Sequence, residues 1–359
     1  MKNSSMIKKA LPAAVVLACA GGLSTNANAA AYAIGYNNVF ELSIISNPLL
    51  LPDAFSSFRT TSTSAANLNG SGPSQSATGG IGGILPGGGP ADVGVATGPG
   101  SVFPGAAPGN NAMTQIGQGA GAFYSYADSE IGSTALLQVD PFNDPVSFTG
   151  NNTQAWGIAE AFVDAAAGTA DSIAGNSSDT GFAATVEVGQ GGTQFSFSFQ
   201  ADPYLFAEIT NTSDVGGALA ALSVSFTISD DSGQVFTWSP DGMNEGAAGV
   251  GGSVGGMETA DPFSLNTNVP ASNVGDQVEY DPCGNGAPTG VINRGCANGS
   301  NVFSAQTGIL GPGTYTISLN MTENVNVSSL AAPVPAPGVI ALFGLGLLGL
   351  GMSRRRSTS

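Results

Sequence analysis

Phe195-Ser196-Phe197-Ser198-Phe199 alternates aromatic rings and hydroxyls with a period of two. Successive side chains of a β-strand point to opposite faces, so this stretch would bury one row of rings and wet one row of hydroxyls. A helix would scatter the same rings around its circumference. Working outward, Leu222, Val224, Phe226 and Ile228 alternate with Ser223, Ser225 and Thr227. Tyr315, Ile317, Leu319 and Met321 alternate with Thr316, Ser318 and Asn320, and Val325 and Val327 carry the parity on. Shorter strand candidates are Ala135 to Val139, Phe182 to Val188, Tyr204 to Thr210, Gln234 to Trp238 and Val278 to Tyr280. Strands with one polar face pair antiparallel. The pattern predicts an all-β fold, an antiparallel β-sandwich or jelly roll, over residues 122–330. Residues 158–167 are the one stretch whose alanines also admit a short helix, and the strand and helix readings both stay open there.

Upstream of this domain the pattern fades. Residues 31–61 form an N-terminal segment, and residues 62–121 are rich in Gly, Pro and Ser, including Gly79-Gly-Ile-Gly-Gly-Ile-Leu-Pro-Gly-Gly-Gly-Pro90. Such a stretch has too little apolar surface to offset its ordering entropy, which predicts a flexible insertion. A second flexible loop is expected at Gly246 to Gly256. No repeat of about 20 to 50 residues is evident, which argues against a solenoid or propeller.

Charge is distributed unevenly along the 359 residues. Lys2, Lys8 and Lys9 precede one apolar run, Arg354, Arg355 and Arg356 follow another, and all 25 acids lie between Glu41 and Glu323. Only Arg59 and Arg294 are basic in that middle region. Residues 1–30 combine the lysines, an apolar run from Ala10 to Ala20, and Asn26-Ala27-Asn28-Ala29-Ala30. This is a signal peptide pattern, with cleavage expected after Ala29 or Ala30. Val16-Leu17-Ala18-Cys19 offers a competing lipoprotein reading in which Cys19 is lipidated.

At the other end, Val339 to Met352 is continuously apolar or Gly and runs directly into Ser353-Arg354-Arg355-Arg356. Positive-inside reasoning leaves those arginines in the cytoplasm. As a helix the run would reach about 21 Å, against a hydrocarbon core of about 30 Å, so it is a marginal permanent anchor. Gly344-Leu345-Gly346-Leu347-Leu348-Gly349 formally fits G-x-G-x-x-G. It lacks the strand-turn-helix context and the acidic residue about 20 positions on that a dinucleotide site needs.

Val334-Pro335-Ala336-Pro337, the apolar run and the Arg cluster together resemble a PEP-CTERM sorting tail, the substrate signal of exosortase. Residues 331–359 carry the resemblance, with Pro335-Ala336-Pro337 where the family has Pro-Glu-Pro. The resemblance implies a Gram-negative bacterium, a precursor held transiently in the inner membrane by a transmembrane helix, and signal peptidase and exosortase as processing partners. It further implies cleavage near the Pro motif and delivery to the outer surface or the exopolysaccharide matrix of a biofilm.

Composition narrows the chemistry. The chain has no histidine, which excludes Ser-His-Asp triads, Cys-His pairs and the common zinc hydrolase sites. The mature region has no lysine, so a Ser-Lys dyad is excluded too. A carboxylate pair of the glycosidase kind survives, without motif support. Cys283 and Cys296 are the two cysteines left once a signal peptide is removed, and an exported chain is expected to pair them.

Asp230-Asp231-Ser232-Gly233 and Asp241-Gly242-Met243-Asn244-Glu245, with Asp140 to Asp144 third, suit either Ca²⁺ ligation or hairpin turns. The calcium reading would use Asp230, Asp231, Asp241, Asn244 and Glu245. Trp238 shares parity with Phe236 and is expected in the core. Trp156 lies in polar sequence and is the candidate for exposed glycan contact. With 25 acids, nucleic acid would be repelled. The expected function is a secreted, non-enzymatic structural or adhesive component of the cell surface or matrix. The alternatives are a Ca²⁺-assisted carbohydrate-binding module and, more remotely, a carboxylate-dependent glycoside hydrolase.

Overall fold

The Phe195–Phe199 alternation forms the centre of a strand, Gln194–Ala201, whose rings point into a core between two sheets. The structure is a computed structural model, and it describes residues 30–48, 50, 54–68, 72–79, 91–98, 114–117, 123–131, 154–164, 171–210, 215–289 and 295–330. These residues form strands β1 (Ala30–Asn47), β2 (Phe55–Leu68), β3 (Ser74–Gly79), β4 (Ala91–Thr97), β5 (Phe123–Ile131) and β6 (Gln154–Asp164). They continue with β7 (Asp171–Val188), β8 (Gln194–Ala201), β9 (Tyr204–Thr210), β10 (Val215–Asp230), β11 (Gly233–Trp238) and β12 (Val250–Gly251). The last are β13 (Gly256–Ala260), β14 (Asn266–Ala271), β15 (Gln277–Tyr280), β16 (Val302–Thr307) and β17 (Gly313–Leu330).

The strands pair antiparallel in two sheets packed face to face, a β-sandwich. The nine-stranded sheet runs β13-β16-β8-β1-β6-β5-β4, with β9 beside β1 and β15 beside β9. The eight-stranded sheet runs β12-β11-β10-β17-β7-β2-β3, with β14 beside β10. The core between them holds Phe195, Phe197, Phe199, Phe226, Phe236, Trp238 and Phe303. Phe199 stacks on Phe303 at 4.9 Å and meets Phe226 at 5.2 Å and Trp238 at 5.6 Å. Burying each such ring stabilises the fold by about 2–3 kcal/mol. Trp238 is 0% exposed, in the core as its parity predicts.

The structure settles one reading left open and corrects two others. First, residues 158–167 are not a helix as far as they are described: β6 covers 154–164. Ala155, Ala159, Ala161 and Val163 face the core, while Trp156, Ile158 and Phe162 face the opposite side, and all are buried. A strand buried on both faces loses its alternation and reads like a helix.

Second, part of the expected flexible insertion 62–121 is sheet. β2 extends through Leu68, and β3 and β4 form edges of the two sheets. The inward face of β2 is Thr60, Ser62 and Ser64, all fully buried, followed by Ala66. Ser62 Oγ lies 2.6 Å from Ser129 Oγ and donates to the Ser129 carbonyl at 2.9 Å, and Ser64 Oγ lies 3.0 Å from Ser129 Oγ. The hydroxyls of Ser62 and Ser64, satisfied inside the fold, stand with Thr60 where a hydrophobic row would have been legible. Residues 31–61 are likewise no separate segment, because β1 and β2 sit within the two sheets.

Third, Gly246 to Gly256 is a loop of turns and bends that is tied into the sheet by β12, which pairs with Thr237 and Trp238. Gly252 adopts φ 102°, and a Cβ there would come within 2.3 Å of the Val235 carbonyl oxygen, so the turn requires glycine. The strand predicted at Ala135 to Val139 lies outside the described residues.

Candidate functional site

One irregularity in β1 builds the site. Up to Val39 the odd-numbered residues face the core and the even-numbered Tyr32, Ile34 and Tyr36 face outward; after it, Leu42 and Ile44 face the core. The swap occurs at a bulge between Phe40 and Ser43, where Glu41 takes φ 54°. The outer face of the nine-stranded sheet is thereby divided into two halves of different chemistry.

On the first half, rows across β9, β1, β6 and β5 set aromatic rings among acids. Tyr32 is opposite Phe162, and Phe162 opposite Tyr124; Ile34 is opposite Glu160, and Glu160 opposite Tyr126. Tyr36 is opposite Ile158 and Tyr204, and Ile158 opposite Asp128. These residues are buried although they lie outside the sandwich core. Glu160 is the hub. Its Oε1 accepts from the Tyr32 hydroxyl at 2.7 Å, the Tyr124 hydroxyl at 2.6 Å and the Gly117 amide at 2.7 Å. Its Oε2 accepts from the Ile116 amide at 2.7 Å.

Burial pushes the Glu160 carboxyl above the ordinary range, and the donated hydrogen bonds act against that. Burial and the neighbouring Glu160 raise Tyr32 and Tyr124 well above an ordinary phenol. Residues 114–117 cross this layer as a strap. Gln115 Nε2 donates to the Tyr32 hydroxyl at 2.7 Å, the Gln115 amide donates to the Pro288 carbonyl at 3.0 Å, and Thr114 bridges Thr289. Asp128 accepts from the Tyr126 hydroxyl at 3.1 Å and is fully buried.

A second acidic arrangement lies where β11 meets β13. Asp261 Oδ2 accepts from the Asp241 amide at 2.6 Å and the Gly242 amide at 2.8 Å, while the Asp261 amide donates to Asn244 Oδ1 at 2.7 Å. Glu258 accepts from Trp238 Nε1 at 2.5 Å and from the Glu245 amide at 3.4 Å. Two buried carboxylates thus clamp the turn at residues 240–246. Burial raises the Asp261 carboxyl to about 7, with the charges of Glu258 and Asp241 adding to the effect and the two amides opposing it.

Unfolded, the group titrates near 4, so the fold favours its protonated form. That stabilisation is complete below pH of about 4 and is lost as the pH rises through about 7. In urea unfolding at a series of pH values, Asp261→Asn is expected to gain stability relative to the parent chain progressively from pH of about 4 to 7, and then level off. A constant difference across that window would dissociate Asp261 from the pH response.

The sequence candidates fall as follows. Asp230 and Asp231 occupy the β10–β11 turn, where Asp230 Oδ1 accepts from the Ser232 amide at 2.8 Å and its hydroxyl at 2.5 Å. Those bonds, the hydroxyl first, hold Asp230 below the usual carboxylate range. This is turn chemistry. Asp241, Asn244 and Glu245 do come together, around Asp261 and Glu258. Among the described residues no group of three or more acids or cysteines is arranged to hold a metal ion.

Trp156 is not exposed: it is 7% accessible and packed in the aromatic layer opposite Asn38, which removes it as a surface glycan platform. Cys283 and Cys296 form a disulfide closing a separation of 13 residues, and chain entropy values such a loop at about 3 kcal/mol. Ala30 opens β1. Ala29, Asp140 to Asp144, Val334, Pro335, Ala336, Pro337, Arg354, Arg355 and Arg356 lie outside the described residues. Among the described residues no helix is long and apolar enough to cross a membrane.

Sequence reasoning missed Glu160 and Asp128. The available signal was the shared parity of Tyr124, Tyr126, Asp128 and Glu130, and of Trp156, Ile158, Glu160 and Phe162, which sets acids in aromatic rows.

No family model matches the chain, and no curated protein matches it. Among solved structures it is similar to a mutant VP2 protein of infectious bursal disease virus in derived T=1 particles, at 12% identity over 91% of this chain and 85% of that one, with a TM-score of 0.10. The VP2 subviral particle of the same virus is similar at 9% identity over 87% and 74%, also with a TM-score of 0.10. Scores this low carry no argument about fold or function.

Proposed function

We propose that the chain is a secreted, non-enzymatic structural or adhesive component of a bacterial cell surface or exopolysaccharide matrix, sorted by its C-terminal tail. The observation that carries the non-catalytic part is the state of Glu160. Four donors from the fold engage its two oxygens, three on Oε1 and one on Oε2, so it serves to join β1, β5, β6 and the strap. Glu258 and Asp261 are similarly engaged in holding a turn. The export part is supported by the two basic, apolar ends that frame an acidic middle.

Mass spectrometry of the protein recovered from producing cells and medium tests the export reading. The expected product begins at Ala30 or Ala31 and ends near Pro335 to Pro337. Recovery of a chain running from Met1 to Ser359 would overturn both processing steps.

A further inference from the structure

The second half of the divided sheet differs from the first. Beyond the Glu41 bulge, outward-facing residues align across four strands. Ile45 is opposite Ser196, Ser196 opposite Gln306, and Gln306 opposite Met257. Ser43 is opposite Ser198, and Ser198 opposite Ser304, whose hydroxyl lies 2.6 Å from that of Thr259 on β13. Gln200 is opposite Val302. The opposite side of the same strands is the aromatic core of Phe195, Phe197, Phe199 and Phe303, so the face has a rigid backing.

Two properties of this face point to a ligand. Among the described residues Glu41 is its one ionisable group, and the Glu41 carboxylate accepts a hydrogen bond from Gln200 Nε2. A face whose one charge is the Glu41 carboxylate, on a chain of net charge -17, does not recruit anionic polymers, and a second copy would bring the same negative charge against it. Its polar groups are hydroxyls and amides, each able to donate and to accept, the capacity a sugar hydroxyl needs in a partner. Ile45, Met257 and Val302 are 46%, 47% and 41% exposed, and they add apolar surface suited to sugar C–H faces. Four strands at about 4.8 Å spacing span about 14 Å, a flat strip with room for a few sugar units.

We propose that the face formed by the end of β1 with β8, β16 and β13 is a binding surface for a neutral polysaccharide. The surface deepens the matrix reading by naming its polymer class and rests on that reading for its setting. Binding itself is measured on purified protein. A failed export test would therefore leave it standing, and a failed binding test would leave the processed ends unaffected.

The test is retention of the chain recovered from culture, in affinity electrophoresis through gels containing dextran, a neutral β-glucan or a galactan. Retention by at least one is expected. The double substitution Ser196→Glu with Gln306→Glu should weaken it at least tenfold, with an unchanged thermal unfolding midpoint. Asn268→Glu, on exposed β14 of the other sheet, should leave it intact. Absence of retention in all three gels, or equal retention by the double variant, would overturn the proposal. So would concentration-dependent sedimentation abolished by the double variant, because a second copy would then cover the face. If the double variant unfolds, Met257→Glu at the edge strand provides the same reading.

Discussion

Phe199→Ala is expected to lower unfolding stability by about 3–5 kcal/mol, the range for truncating a fully buried aromatic side chain. Phe199 touches three rings from both sheets: Phe226 and Trp238 across the sandwich, and Phe303 on the adjacent strand. Removing it opens a cavity lined by large, stiff side chains that collapse poorly, which favours the upper part of that range. Ser198→Ala, one residue away and facing outward, should change stability by less than about 0.5 kcal/mol. Guanidinium unfolding of the pair checks this, with the midpoint falling for Phe199→Ala at an unchanged slope. A small effect at Phe199 would mean that the sandwich core is not centred on this aromatic cluster.

Glu160→Leu is expected to cost about 3–5 kcal/mol, the range for breaking a buried, hydrogen-bonded charged network. Leucine fills similar volume but leaves the Tyr32 and Tyr124 hydroxyls and the Ile116 and Gly117 amides without their common acceptor. Each orphaned buried donor carries a desolvation penalty of about 1–3 kcal/mol, reduced where the strap can lift and admit water. Glu160→Gln should be intermediate, since the amide oxygen keeps one set of donors while the amide nitrogen meets another. Thermal unfolding together with the near-ultraviolet tyrosine signal reads both effects. If Glu160→Leu stays within about 1 kcal/mol of the parent, Glu160 is not the joint proposed above, and its carboxylate is not an architectural one.

The two substitutions also separate what was legible in the sequence. Phe199 announces itself, because its neighbours alternate strictly and every second residue is aromatic. Glu160 does not, because its strand is buried on both faces and its acid stands among Trp156, Ile158 and Phe162 without a recognisable motif. Trp156 misled in the opposite direction. Polar neighbours in the chain suggested an exposed ring, whereas its surroundings are set by Asn38 and Glu130 on the adjoining strands.

By itself the sequence determined the all-β class, the facing of β8, β10 and β17, the core position of Trp238 and the Cys283–Cys296 pairing. These follow from period-two alternation and from the scarcity of alternatives, both local properties. Only the tertiary structure decided that Thr60, Ser62 and Ser64 are interior, that residues 62–68 extend a sheet strand and residues 74–79 edge that sheet, and that Glu41 turns β1 over. That reversal sets an aromatic and acidic layer on one half of a sheet and a hydroxyl and amide face, with Glu41 as its one carboxylate, on the other. The physical reason is that burial of a polar side chain depends on whether a partner arrives from a distant strand: Ser62 is bonded to Ser129, and Glu160 to Tyr32 and Ile116. The alternation of a single segment carries no record of its partners.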